Sequence, residues 1–177
     1  MSIRTDLEFI RSGMNVRRYH QRYTAQSDTV AHHSYGVALL VNMIDPTARK
    51  EVLLAALVHD LPEGVTGDMP GHVKAALPPS MRHELSNVES QLLAKHDLLF
   101  DLSLDEAQLL KLCDKLESLL FCIEERQRGN KGLRSCGDKC SAWINEIMQS
   151  AATLSSVGSA RARSIVIAAT IKWEHVK

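Results

Sequence analysis

A histidine and an aspartate stand side by side at the end of an apolar run, His59 and Asp60 in ALVHDLPEG, where Val52, Leu53, Ala56 and Leu57 read as the core face of a helix. Two metal-competent side chains at such a place are costly to bury unless something pairs with them, so the fold has to bring partners to this point. His33 upstream and Asp114 downstream are the candidates. The four together offer two imidazoles and two carboxylates with no thiolate. That set suits a borderline divalent cation such as zinc, cobalt, manganese or iron, and favours hydrolysis over structural clamping.

Helical spacing supports the grouping. With residues 29 to 44 helical after a Ser27-Asp28 cap signal, His33 shares a face with Val30, Val37 and Leu40 and points inward. In the segment from Ser103 to about Gln127, Asp114 lies among leucines and shares a face with Lys111, Ser118 and Phe121, a polar stripe in an apolar helix. A structural reading stands beside this one: a core histidine satisfied by hydrogen bonds, and an aspartate acting as a cap or ion-pair partner.

The remaining pattern is helical almost throughout. Thr5 with Glu8 reads as a capping box for a short first helix, and Ser103 with Glu106 as another before the long Asp114 helix. Pro46 precedes the helix that carries the His-Asp pair and Pro62 closes it. Gly64, Gly67, Pro70 and Gly71 punctuate a loop, followed by a short helical turn from Val73 to Leu77 and a helix opened by Pro78-Pro79 that runs to about Lys95. After the GNKG turn, two helices fit at about 133 to 153 and 159 to 175. No alternating run of strand length is present, so the expected fold class is all-α, a helical bundle around a buried metal site.

Size and charge set the outer limits. At 177 residues, 45% apolar and 24% charged, the chain reads as one domain over 1–177 with a single core. With 21 basic and 21 acidic side chains there is no global field to recruit nucleic acid or an anionic membrane, so phosphate affinity has to be local. The start MSIRTDLEFIRSG lacks the apolar core of a signal peptide, and the longest apolar stretches fall short of a membrane span. Cys113, Cys122, Cys136 and Cys140 read as reduced thiols, and Cys136-x3-Cys140 has no second pair or histidine nearby to complete a metal site. A second concentration of polar chemistry lies at Arg17, Arg18, Tyr19, His20, Arg22 and Tyr23, which crowd cations and aromatics into seven positions without apolar periodicity. Such a loop is either a solvated basic surface or a holder for phosphate and base.

The order H…HD…D, with each member on or ending a helix, resembles the HD-domain metal-dependent phosphohydrolases. Within them the likeness is to small 5′-deoxynucleotidases of the YfbR type and phage dATP triphosphohydrolases of the DatZ type. It is carried by NVRRYH (15–20), AHHSYGVALL (31–40), LAALVHDLPEGVTGDMPGHVK (54–74) and LLKLCDKLESLLFC (109–122). The chain departs from the nucleotidase branch in having His32 before the first metal histidine, where an acid is frequent, and Tyr19 where a tryptophan is frequent.

The resemblance implies His33, His59, Asp60 and Asp114 as metal ligands, Glu63 as the acid/base carboxylate and Asp68 as its companion. It implies that Arg18 and Tyr19 contact nucleotide and that Lys74 and Lys111 bind phosphate, against structural readings of cap, Asx-turn and exposed charge. The implied cofactor is Zn, Co or Mn, with a second ion, Mg, carried in by a polyphosphate. The implied substrate is a deoxynucleotide, dATP first, as in a virus that replaces a purine in its DNA. A dNMP is the alternative, and a non-catalytic nucleotide-binding module the next. Relatives form dimers or trimers of dimers, so a homo-oligomer (dimer or hexamer) is expected. The expected location is the cytoplasm, or a host cytoplasm for a viral chain.

Overall fold

The structure, a computed structural model, describes residues 3–176. Nine helices follow one another among the described residues: α1 (Ile3–Met14), α2 (Val30–Ile44), α3 (Lys50–Val58), α4 (Glu63–Thr66), α5 (Gly71–Ala76), α6 (Pro79–Lys95), α7 (Leu104–Gln127), α8 (Arg134–Ser150) and α9 (Ala160–Val176). The sole strand-like feature among them is an isolated bridge between Arg17 and Thr29. The all-α expectation holds.

The centre of the bundle is α7, because its sequence is apolar on more than one side. Leu109, Leu112, Cys113, Leu116, Leu119, Cys122 and Ile123 are all buried, so the helix needs neighbours around most of its circumference. It finds them in α2, α3, α8 and α9. Its N-terminus is fixed by the capping box expected from sequence: Ser103 Oγ accepts from the Glu106 amide, and the Glu106 carboxylate accepts from the Ser103 amide at 2.8 Å. Arg49, at the start of α3, clamps the same carboxylate at 2.7 Å and ties α3 to α7.

Two cap expectations differ from the structure. Thr5 lies inside α1, where Glu8 pairs with Arg4 one turn back, so those residues are not a capping box. The cap of α2 is Thr29, whose side chain accepts from the His32 amide, and not Ser27-Asp28. Asp28 is drawn off by a tertiary partner, Arg18, described below. The segment after Pro62, read from sequence as loop, opens with the short helix α4.

Close backbone approach sets α1 against the His-Asp turn. A Cβ on Gly13 would lie 2.5 Å from the Leu61 carbonyl oxygen, and one on Gly64 would lie 2.7 Å from the Gly13 amide. Glycine at both positions lets α1 lie directly on the turn that carries Asp60 and Glu63. Among the described residues no helix is long and apolar enough to cross a membrane.

Candidate active site

Three helices deliver the polar groups. His33 projects from α2 and is fully buried. His59 caps the C-terminus of α3, and Asp60 follows it in the turn. Asp114 comes from α7. Nε2 of His33 lies 3.6 Å from Asp60 Oδ2 and 3.2 Å from Asp114 Oδ1, and Nε2 of His59 lies 3.4 Å from Asp60 Oδ2.

Each imidazole is held through its other nitrogen. His59 Nδ1 donates to the Ala56 carbonyl at 2.9 Å, and His33 Nδ1 hydrogen-bonds Glu117. Both Nε2 atoms are buried and make no hydrogen bond. Two orphaned buried nitrogens aimed at carboxylates are a costly arrangement for structure alone. His33, His59 and Asp60 offer ligand atoms within 4.8 Å of one another, the one such group among the described residues. Asp114 approaches His33 but stands outside that tight group, its Oδ2 being paired with Lys115 at 2.7 Å. Two imidazole nitrogens with carboxylate oxygens are a donor set that fits a divalent cation.

The electrostatics carry the same demand for positive charge. Burial and the Arg18 guanidinium oppose a charged His33, yet Asp114 and Glu117 outweigh them and push it up to about 9. Burial also works against an ionised Asp114, but His33, Lys115 and His59 hold it well below the usual carboxylate range. Glu63 goes the other way. Burial, then the negative charges of Asp60 and Asp68, push its carboxyl up to about 8, and its Oε2 is buried without a hydrogen bond.

Asp60 and Asp114 open onto a cavity of about 460 Å³, and Glu63 and Asp68 line the same space. Its walls are cationic: Arg18, Lys74 and Lys115 stand near the carboxylates, with Arg22, Arg82 and Lys139 beyond them. Lys74 Nζ lies 3.8 Å from Glu63 Oε1, and Asp68 Oδ2 lies 3.3 Å from His20 Nδ1.

The sequence profile of the family described as "5′-deoxynucleotidase YfbR-like" matches residues 7–106, which contain His33, His59, Asp60 and Glu63. The chain belongs to this family. It is a metal-dependent HD-domain phosphohydrolase. Among solved structures, a protein of Pyrococcus horikoshii OT3 superposes with a TM-score of 0.72 at 20% identity, over 96% of this chain and 99% of that one. A Listeria innocua HD-domain phosphohydrolase gives 0.68 at 20% identity, over 99% of each chain. The HD phosphohydrolase DatZ of cyanophage S-2L, bound to dA and one catalytic Zn2+ ion, gives 0.59 at 21% identity, over 99% of this chain and 95% of that one. These likenesses carry the fold. No curated protein matches the sequence.

Within this YfbR-like member the expected phosphate cations are only partly gathered. Lys74 lines the cavity, whereas Lys111 is exposed and lies off its lining. The α7 lysine that lines the cavity is Lys115, which pairs with Asp114 and lies 5.1 Å from the centre of the Trp143 ring. Helical periodicity places Lys111, three residues before Asp114, nearer its face, but the long Lys115 side chain turns back to the carboxylate. Trp143 on α8 supplies the surface it lies on.

Arg18 and Tyr19 both line the cavity, and the protein already holds them. The guanidinium donates to Asp28 at 3.1 Å, Glu117 at 3.3 Å and Ser118 at 3.0 Å. Burial opposes its charge, and the carboxylates of Glu117, Asp60 and Asp28 favour it. The Tyr19 ring stacks on Phe121 at 4.9 Å and takes a left-handed backbone, φ 56°. That conformation is uncommon for an aromatic residue. His32 is exposed. Glu117 and Lys115 are site residues that sequence reading missed; their signal is the spacing from Asp114, three and one residues on within one helix.

Proposed function

We propose that the protein hydrolyses deoxynucleotides at the 5′ phosphate, with His33, His59, Asp60 and Asp114 holding one divalent cation. The observation that carries this reading is the pair of buried imidazole Nε2 atoms without hydrogen-bond partners, facing Asp60 and Asp114 at a cation-walled cavity. Zinc, cobalt or manganese fits the donors, and magnesium would enter with a polyphosphate. Such an ion polarises water and neutralises phosphoryl oxygen.

The chain's own groups supply the rest. Glu63, with its carboxyl pushed to about 8, can take up and release a proton near neutral pH, the property an acid/base group needs. Asp68, across the same cavity, either orients the attacking water or protonates the leaving sugar oxygen. Arg18, Lys74 and Lys115 offset phosphate charge, and Tyr19 offers an aromatic edge or face to the base.

The outer cations Arg22, Arg82 and Lys139 favour a triphosphate, since a monophosphate would leave them without an anion. The reading is therefore dATP cleaved to deoxyadenosine and triphosphate, lowering one deoxynucleotide pool; the dA in the DatZ relative supports adenine. The family description favours the second reading, a 5′-deoxynucleotidase acting on dNMPs. A panel of deoxy- and ribonucleotides at each phosphorylation level, with Zn2+, Co2+ or Mn2+ added and products resolved by chromatography, decides between them. Triphosphate released from dATP with a kcat/KM above that for dAMP is expected. The reverse order selects the dNMP reading, and binding without turnover of any nucleotide selects a regulatory module.

A further inference from the structure

Glu117 contacts two groups of the site and belongs to neither the ligand set nor the acid/base pair. Its Oε2 meets His33 Nδ1 and lies 3.3 Å from Arg18 Nη1, and its side chain is largely shielded from solvent. We propose that Glu117 is a positioning residue, which accepts the Nδ1–H of His33 and so fixes the ring with Nε2 directed at the metal site. The proposal rests on the metal-centre reading above.

Three observations carry it. His33 is fully buried, so with Glu117 in place no water reaches Nδ1. A neutral imidazole carries one N–H, and placing it on Nδ1 leaves the lone pair on Nε2, the atom that makes no hydrogen bond within the protein. The fold also clears space for the carboxylate. A Cβ on Gly36, one turn along α2 from His33, would lie 2.8 Å from Glu117 Cγ. A larger residue there forces Glu117 or the α2 backbone to shift. Arg18 donates to the same Oε2 and is itself anchored on Asp28 and Ser118, so the acceptor is fixed before a metal arrives.

The test uses Co2+ alone, added to metal-stripped wild type, E117A, E117Q and G36A, with affinity and visible absorption as readouts and far-UV circular dichroism as the check on folding. Wild type that binds no Co2+ removes the metal-centre reading itself. Given wild-type binding, E117A is expected to weaken affinity by about 10- to 100-fold and to alter the visible bands. E117Q keeps an oxygen acceptor for Nδ1–H and is expected to recover most of the loss. Folded E117A with affinity within about twofold of wild type would overturn the proposal, as would E117Q as weak as E117A, since positioning at Nδ1 needs the acceptor and not the charge. If E117A does not fold, G36A decides: weakened Co2+ binding supports the role, and wild-type binding overturns it.

Discussion

The middle and the C-terminal end of α7 treat their acids in opposite ways. Near its middle, Asp114 and Glu117 face imidazoles whose Nε2 atoms have no hydrogen bond, and the adjoining Glu63 has one oxygen equally bare. Two turns further on, Glu125 is fully buried and fully served. The Ala25 and Gln26 amides and the Asn130 side chain all donate to it, at 2.6, 3.1 and 2.6 Å. Asn130 in turn donates to the Tyr23 carbonyl at 2.9 Å, so this carboxylate pins the end of the Arg18 loop to the bundle. A buried acid used for architecture comes with its donors; beside the middle of α7 the atoms left short are the two imidazole Nε2 atoms and Glu63 Oε2. The shortfall marks where a cation and a substrate belong.

The largest effect should come from removing ligands at the site with unsatisfied groups. H59A and D60A are each expected to lose bound metal and to cut turnover by at least about three orders of magnitude. Metal analysis beside activity checks this, and near wild-type activity with stoichiometric metal in either variant breaks the assignment. E63Q should keep its metal while the rate falls by roughly two to four orders of magnitude, because shape survives and proton transfer does not. Loss of metal in E63Q would make Glu63 a ligand instead.

At the satisfied end the same kind of deletion should look different. E125A strands two amides and the Asn130 side chain, and a cost of about 3 kcal/mol in unfolding free energy is expected, read from denaturant melts. Co2+ affinity should stay unchanged, while KM rises through the loosened Arg18 loop. A variant of wild-type stability and weakened metal binding would erase the contrast between the two regions.

A smaller effect concerns pH. Burial and neighbouring acids raise Glu63 from 4.5 to about 8, and Asp114 and Glu117, against burial and Arg18, raise His33 from 6.5 to about 9. A group raised on folding holds its proton more tightly in the native state, so its stabilising effect is full below the unfolded value and is lost as pH rises through the folded one. Metal-free protein should therefore lose roughly 1–3 kcal/mol of stability between pH 6.5 and 9. E63Q should reduce that slope and saturating metal should remove it. Thermal melts across the window that show stability rising with pH in metal-free protein would contradict the picture.

How far the sequence foretells this depends on what each feature needs from afar. The His-Asp pair is legible because two ionisable groups interrupt an apolar helix, and the α7 capping box because all its partners lie within four residues. Periodicity placed His33 in the core correctly. It missed what comes from elsewhere in the fold. Asp28 reads as a cap until Arg18 claims it, and Glu117 carries no mark beyond its spacing from Asp114 until the fold sets it beside Gly36 of α2. Lys115 is chosen over Lys111 by a Trp143 contact from a helix that begins nineteen residues later. Tyr19 looks free for a base until Phe121 takes up a stacking position against it.

The central claim is that the unsatisfied imidazole nitrogens of His33 and His59 and the carboxylates facing them exist to hold a metal ion. Metal content of wild-type protein purified without chelator, set beside that of H59A prepared in parallel, tests it most directly. About one equivalent of zinc, cobalt or manganese per wild-type chain, and almost none in H59A, is the expected result. Less than roughly a tenth of an equivalent in wild type, with none taken up from added Zn2+, Co2+ or Mn2+, would contradict it.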